Sequence, residues 1–170
     1  LYDRDYILMS VYDMVVEVKN EDGTVSFALN TPTVPEGKTP IILSFAEANY
    51  YSDTDYGAYS DKMVLADDGS VQNEYVDEQE NTLVGAYDVV PVVDEFVEEH
   101  PDFSLRGAKG IISLTGYEGV FGYDLQTESD EIKAIADKLT EEGWLIASNG
   151  YSNAMLESEM DTNDLEEDLD

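Results

Sequence analysis

Short continuous apolar runs, separated by amphipathic segments, set the pattern of this chain. The segments "IILSFAEANYY" (41–51), "KGIISLTG" (109–116) and "WLIAS" (144–148) each carry a run of the kind that buried parallel strands show. Between the first two lies "DVVPVVDEFVEEHPDF" (88–103). Val89, Val92, Val93, Phe96 and Val97 recur there at three- and four-residue spacing, Asp88 stands at the cap position and Pro101 closes the segment. This predicts a helix with one apolar stripe. "SDEIKAIADKLTEEGW" (129–144) predicts a second, with Ile132, Ile135, Ala136 and Leu139 on one face and Gly143 as its stop.

The N-terminal part reads differently. "DYILMSVYDMVVEVK" (5–19) and "VSFAL" (25–29) flank Asp22-Gly23, a strong hairpin signal. "NTPTVPEGKTP" (30–40) holds three of the five prolines and reads as an extended connection. Residues 52–86 are polar, with Asp67, Asp68 and Gly69 marking a second hairpin turn, and predict an irregular insert with short strands. The end, "ESEMDTNDLEEDLD" (157–170), is acidic and expected to be solvated. The expected organisation is therefore a hairpin and connection over 1–40, an α/β domain over 41–156 with its insert at 52–86, and an acidic tail over 157–170. No internal repeat is visible.

Strand, helix, strand, helix, strand is the α/β pattern, in which ligands sit beyond the C-terminal ends of parallel strands. The three strand ends, "AEANYY", "TGYEGVFGY" and "SNGYSN", are all rich in Tyr, Asn and Gly, and so point to one pocket.

Charge narrows the partners. The chain has 170 residues, with 39 Asp and Glu against 8 Lys and Arg, a net charge of −31. Nucleic acids and anionic membranes would be repelled. The apolar share of 42 % is ordinary for a globular domain. No apolar run approaches the roughly 20 residues of a membrane span. Without cysteine there are no disulfides, thiolate metal sites or cysteine nucleophiles. The first residue is Leu1, and a mature or excised piece of a longer protein is expected.

The single histidine, His100, ends the first helix, where an imidazolium suits the helix dipole, and is read as structural. With no second histidine, a Ser-His-Asp triad is excluded. The glycines of 107–122 match neither nucleotide fingerprint, and "DTDYGAYSD" (53–61) lacks the order of a calcium loop.

The three strand ends taken together resemble polysaccharide deacetylases, in particular a group from anaerobic Firmicutes. The likeness covers about residues 5 to 155 and is carried by "PIILSFAEANYY", "HPDFSLRGAKGIISLTGYEGVFGY" and "IADKLTEEGWLIASNGYSN". It implies a distorted (β/α) barrel, here expected to be incomplete and preceded by a β-hairpin. It also implies metal-assisted hydrolysis of an N-acetyl or O-acetyl group on a sugar polymer. In that family one of two adjacent aspartates is the general base on a metal-bound water and the other a metal ligand. A His-x-x-x-His pair completes the ligand set.

Carried over residue by residue, the resemblance places the base on Ala46, the metal-binding aspartate on Glu47, the two histidines on Asn149 and Asn153, and an arginine on Asp124. The site is degenerate at these positions. No resident metal or cofactor is expected, beyond weak calcium or magnesium binding by surface carboxylates. Asn149 and Asn153 are read either as donors to sugar hydroxyls or as drifted loop positions. Asn49, Tyr50, Tyr51, Tyr117, Tyr123 and Tyr151 are the candidate substrate-binding residues, since an aromatic face suits a sugar's C–H surface; the alternative is that they fill core or rim. The resemblance favours an inactive, glycan-binding or structural domain of a bacterial surface or secreted protein, with a carbohydrate polymer or other protein modules as partners. The competing readings are an active deacetylase built on a carboxylate-only site around Glu47, and a spacer module.

Overall fold

The computed structural model describes residues 1–46, 48, 50, 59–117, 119–152, 163, 164 and 168. In chain order the elements are β1 (Tyr6–Leu8), a one-turn helix α1 (Val11–Met14), β2 (Val15–Lys19), β3 (Val25–Leu29), β4 (Thr39–Ile41), β5 (Ser44–Ala46), β6 (Tyr59–Leu65), β7 (Val71–Val76), β8 (Thr82–Gly85), α2 (Val89–Glu99), β9 (Ile111–Leu114), α3 (Ser129–Glu141) and β10 (Leu145–Ser148).

The three apolar runs supply one parallel sheet in the order β10-β9-β5. Ile111 of β9 pairs with both Leu145 and Ser44, so the strands run in step. Only the central strand holds a buried residue, Ile112 at 0 % exposure, and its other three positions are half-buried. β5 and β10 are edge strands, and their residues alternate between half-buried and exposed. The expected continuous first strand also divides. Ile41 pairs with β1 through β4, and only Ser44–Ala46 joins β9.

The helices cover this sheet. Asp88 caps α2 by accepting from the Val89 amide at 2.7 Å, and Pro91 is tolerated because it lies in the first turn. The helix buries Val90, Pro91 and Val97; Val92, expected on the apolar stripe, is 50 % exposed. α3 buries Ile135 and Leu139 as expected. The chain then turns at Gly143, φ +98°, where a Cβ would overlap the Gly107 carbonyl oxygen, so only glycine fits. Trp144 follows, fully buried, and its indole N–H donates to Asp94 at 2.9 Å.

The insert is more regular than expected. Its described part forms a three-stranded antiparallel sheet, β6-β7-β8, with the Asp67-Asp68-Gly69 turn between β6 and β7. Met63 and Val71 enter the main core beside Ile112, Phe121 and Trp144, which is why the segment is ordered despite its polarity.

The N-terminal stretch also departs from a plain hairpin. β2 and β3 pair across Asp22-Gly23 as predicted. Ahead of them a capping box at Ser10 and Asp13 makes the short α1, and β1 pairs in parallel with β4. Leu8 joins Val97 and Phe103 in a second core, against which Tyr2 and Phe96 pack. His100 ends α2 with its ring 4.6 Å from that of Tyr2 and 4.5 Å from that of Phe96, a packing role. Among the described residues no helix is long and apolar enough to cross a membrane.

Candidate functional site

The C-terminal ends of β5, β9 and β10 lie side by side, because the strands are parallel and in register. Ala46 ends β5 opposite Ser113 of β9, and Ser148 ends β10 opposite Leu114. Asn149 continues the ladder by donating its amide to the Leu114 carbonyl at 2.8 Å. Ala46 and Asn149 therefore flank the loop that leaves β9, about 12 Å apart across two strand spacings and a two-residue offset along the strands. Glu47, Asn49, Tyr51 and Asn153 lie outside the described residues.

Two tyrosines meet on this edge. The Tyr117 amide donates to the Tyr151 carbonyl at 2.8 Å, and the rings stand edge to face with centroids 6.3 Å apart. Tyr117 is 50 % exposed and Tyr151 55 %. Gly116 makes the contact possible, since a Cβ there would come within 2.6 Å of the Tyr151 ring.

The loop of Tyr151 is held from an unexpected quarter. The Asp168 backbone oxygen accepts from the Tyr151 amide at 2.8 Å, and its carboxylate accepts from the same amide at 3.1 Å. The carboxylate also takes the Ser152 amide at 2.7 Å and the Ser152 hydroxyl at 2.5 Å. These bonds, the Ser152 hydroxyl foremost, hold the Asp168 carboxyl below the usual range. Gly150, φ +77°, lets the carboxylate approach; any side chain there would collide with it. Asp168 thus departs from the expected solvated tail. The only trace in the sequence is Asn149-Gly150, a turn dipeptide that announces a left-handed position.

The remaining candidates face elsewhere. Tyr50, φ +57°, packs against the main core, and its hydroxyl accepts from the Asn73 side-chain amide at 3.0 Å. Burial first, then the charge of Asp88, pushes its phenol pKa up, so it stays protonated. Tyr123 is half-buried under the Lys62 ammonium, 5.4 Å from the ring centroid. Burial and the field of Glu74 and Glu128 raise its pKa. Asp124 closes its own turn, accepting from the Gln126 and Thr127 amides and the Thr127 hydroxyl at 2.9 Å. Those bonds, the Thr127 hydroxyl first, lower its pKa, and leave it structural. Of the candidates described, the structure brings Ala46, Tyr117, Asn149 and Tyr151 to one edge, and turns Tyr50 and Asp124 to local packing.

A cavity of about 150 Å³ opens beside Ala46, lined by Phe45, Tyr50, Met63, Asp88 and Ile112. That is below the range of ordinary ligand pockets. A larger cleft of about 380 Å³, around Asp94, Lys109 and Glu142, lies at the opposite, N-terminal ends of β9 and β10.

The donor set does not fit the metal of the resembled family. Ala46 offers no donor atom and Asn149 only an amide, a poor zinc ligand. Among the described residues no three His, Asp or Glu side chains are grouped to hold an ion. No family model, curated protein or solved structure matches the chain.

Proposed function

We propose that this chain is a catalytically inactive, polysaccharide-deacetylase-like domain of a bacterial surface or secreted protein, which binds glycan. In this reading β5, β9 and β10 are part of a distorted (β/α) barrel. The observation that carries it is the exposed Tyr117–Tyr151 pair at the strand ends, where α/β domains take their ligands. Aromatic faces suit the C–H face of a sugar ring, and the neighbouring Asn149 supplies an amide for hydroxyls. The loss of chemistry follows from Ala46. A methyl group cannot take a proton from water, and general-base catalysis is worth about 10² to 10⁴ in rate.

The test is a titration with N-acetylated oligosaccharide, followed by NMR. Saturable shifts should centre on residues 115–117 and 149–152, and Tyr117→Ala with Tyr151→Ala should weaken binding about tenfold. Unchanged affinity in the double variant would refute the assignment of the site.

A further inference from the structure

The β2–β3 hairpin is a surface without a cover. Phe27 is 72 % exposed and Leu29 88 %, and Val16, Val18 and Val25 are exposed as well. The sheet has two strands only, so both edges are open among the described residues. A lone hairpin is marginal in water, and an open edge is a template for another strand.

The free groups of β2 can be named. Asn20 donates to the Thr24 carbonyl at 2.9 Å and Asn30 to the Met14 carbonyl at 2.7 Å. With Val16 opposite Ala28 and Val18 opposite Ser26, the even-numbered residues of β2 bond inward to β3. By the antiparallel alternation, Glu17 and Lys19 point their N–H and C=O groups outward, whereas the Val15 N–H is taken by the Val11 carbonyl at the end of α1.

Lys19, like Arg4, stands without an ion-pair partner among the described residues. Lys38, Lys62, Arg106, Lys109, Lys133 and Lys138 each face a carboxylate. Lys19 faces none among the described residues, although acids outnumber bases 39 to 8. Glu17, two residues away and on the same sheet face, has no ion-pair partner there either.

We propose that the β2 edge binds a second copy of this chain, antiparallel, with Val18 opposite Val18 on a two-fold axis. Glu17 of each copy then lies opposite Lys19 of the other, twice, and both belong to hydrogen-bonded pairs formed by the outward groups. The alternation permits only registers shifted in steps of two. One such step sets Glu17 against Glu17; the step in the other direction sets Lys19 against Lys19 and Glu17 against Glu21. Charge complementarity therefore selects both the occupant and the register. The strands that meet carry no net charge, since β2 holds only Glu17 and Lys19 and β3 no charge at all. Most of the −31 sits outside the contact, screened over about 8 Å at physiological salt. Two short strands bury less than the roughly 1,200 Å² of a stable complex, so the dimer is weak and concentration-dependent.

The test uses the whole chain at about 0.15 M salt. Sedimentation velocity over a rising concentration series should show a monomer–dimer equilibrium. Glu17→Lys and Lys19→Glu should each weaken it about tenfold or more, and the double swap E17K/K19E should restore it. All these positions are exposed, so the fold is kept. Because the chain has no cysteine, Val18→Cys offers a direct trap. In a glutathione redox buffer it should cross-link faster than Val16→Cys, whose counterpart is Asn20, or Phe27→Cys on the other edge. A monomer at every concentration, single charge variants that dimerise like the parent, or faster trapping through Phe27→Cys would each overturn the proposal.

Discussion

Asp94 ties α2 to the parallel sheet, and its removal should be costly. Its carboxylate receives the Lys109 ammonium, just before β9, and the Trp144 indole N–H, just before β10. Lys109 is 9 % exposed and Trp144 fully buried. In Asp94→Ala the lysine keeps its charge without its partner and the indole loses its acceptor. Breaking a buried pair from one side costs about 3–5 kcal/mol. Two features argue for less. The cleft beside the pair admits water, and Glu95, Glu98 and Glu142 line it and partly replace the lost charge. We therefore expect about 2–3 kcal/mol, a large share of a typical total of about 5–15 kcal/mol. Asp94→Asn, which keeps an acceptor for Trp144, should cost about half as much. Urea unfolding followed by fluorescence reads this directly, because Trp144 is the single tryptophan. A double-mutant cycle with Lys109→Met should show coupling of about 1.5 kcal/mol. A loss below about 1 kcal/mol for Asp94→Ala, or additive effects in the cycle, would show that Asp94 does not tie α2 to the sheet.

Two further outcomes are expected. Gly143→Ala should destabilise by about 2 kcal/mol or more, through left-handed strain plus overlap with Gly107. Gly23→Ala, at φ +84° in open space, should cost only about 1 kcal/mol; equal thermal melts would contradict the difference. The pKa of Asp168 is lowered in the folded chain, so its bonds to the 151–152 loop are full above the unfolded value of 3.8 and are lost as pH falls through the folded value. Hydrogen-exchange protection of Tyr151 and Ser152 should therefore fall in Asp168→Asn at neutral pH, and in the parent only once the pH drops below 3.8; unchanged protection in the variant would show that the clasp does not form.

Local signals were legible where local chemistry decides the outcome. The turns at Asp22-Gly23 and Asp67-Asp68-Gly69, the Asp88 cap and the stop at Gly143 all form where the residue types require them. The apolar runs lead to a parallel sheet, but the strand order that sets 111–114 at its centre is not contained in them. What escaped depends on neighbours. An apolar run reads the same in a central and an edge strand, so the exposure of β10 was hidden. The pairing of β1 with β4 joins two three-residue strands across a long separation, with no periodicity to betray it. At the candidate site, the strand pattern sets Ala46 and Asn149 at the C-terminal ends of neighbouring strands, where the structure has them. Asp168 was not, because one aspartate in a run of acids has no distinguishing mark until Gly150 is seen to receive it.

Acetate release decides whether the strand-end site hydrolyses the glycan we propose that it binds. The unmodified protein is incubated with N-acetylated oligosaccharide and with an acetylated chromogenic ester, with zinc, cobalt or manganese supplied. With a methyl group at Ala46 and an amide at Asn149, no release above a Glu47→Ala control is expected. Metal-dependent release that disappears in Glu47→Ala would contradict it and establish a carboxylate-based deacetylase in its place.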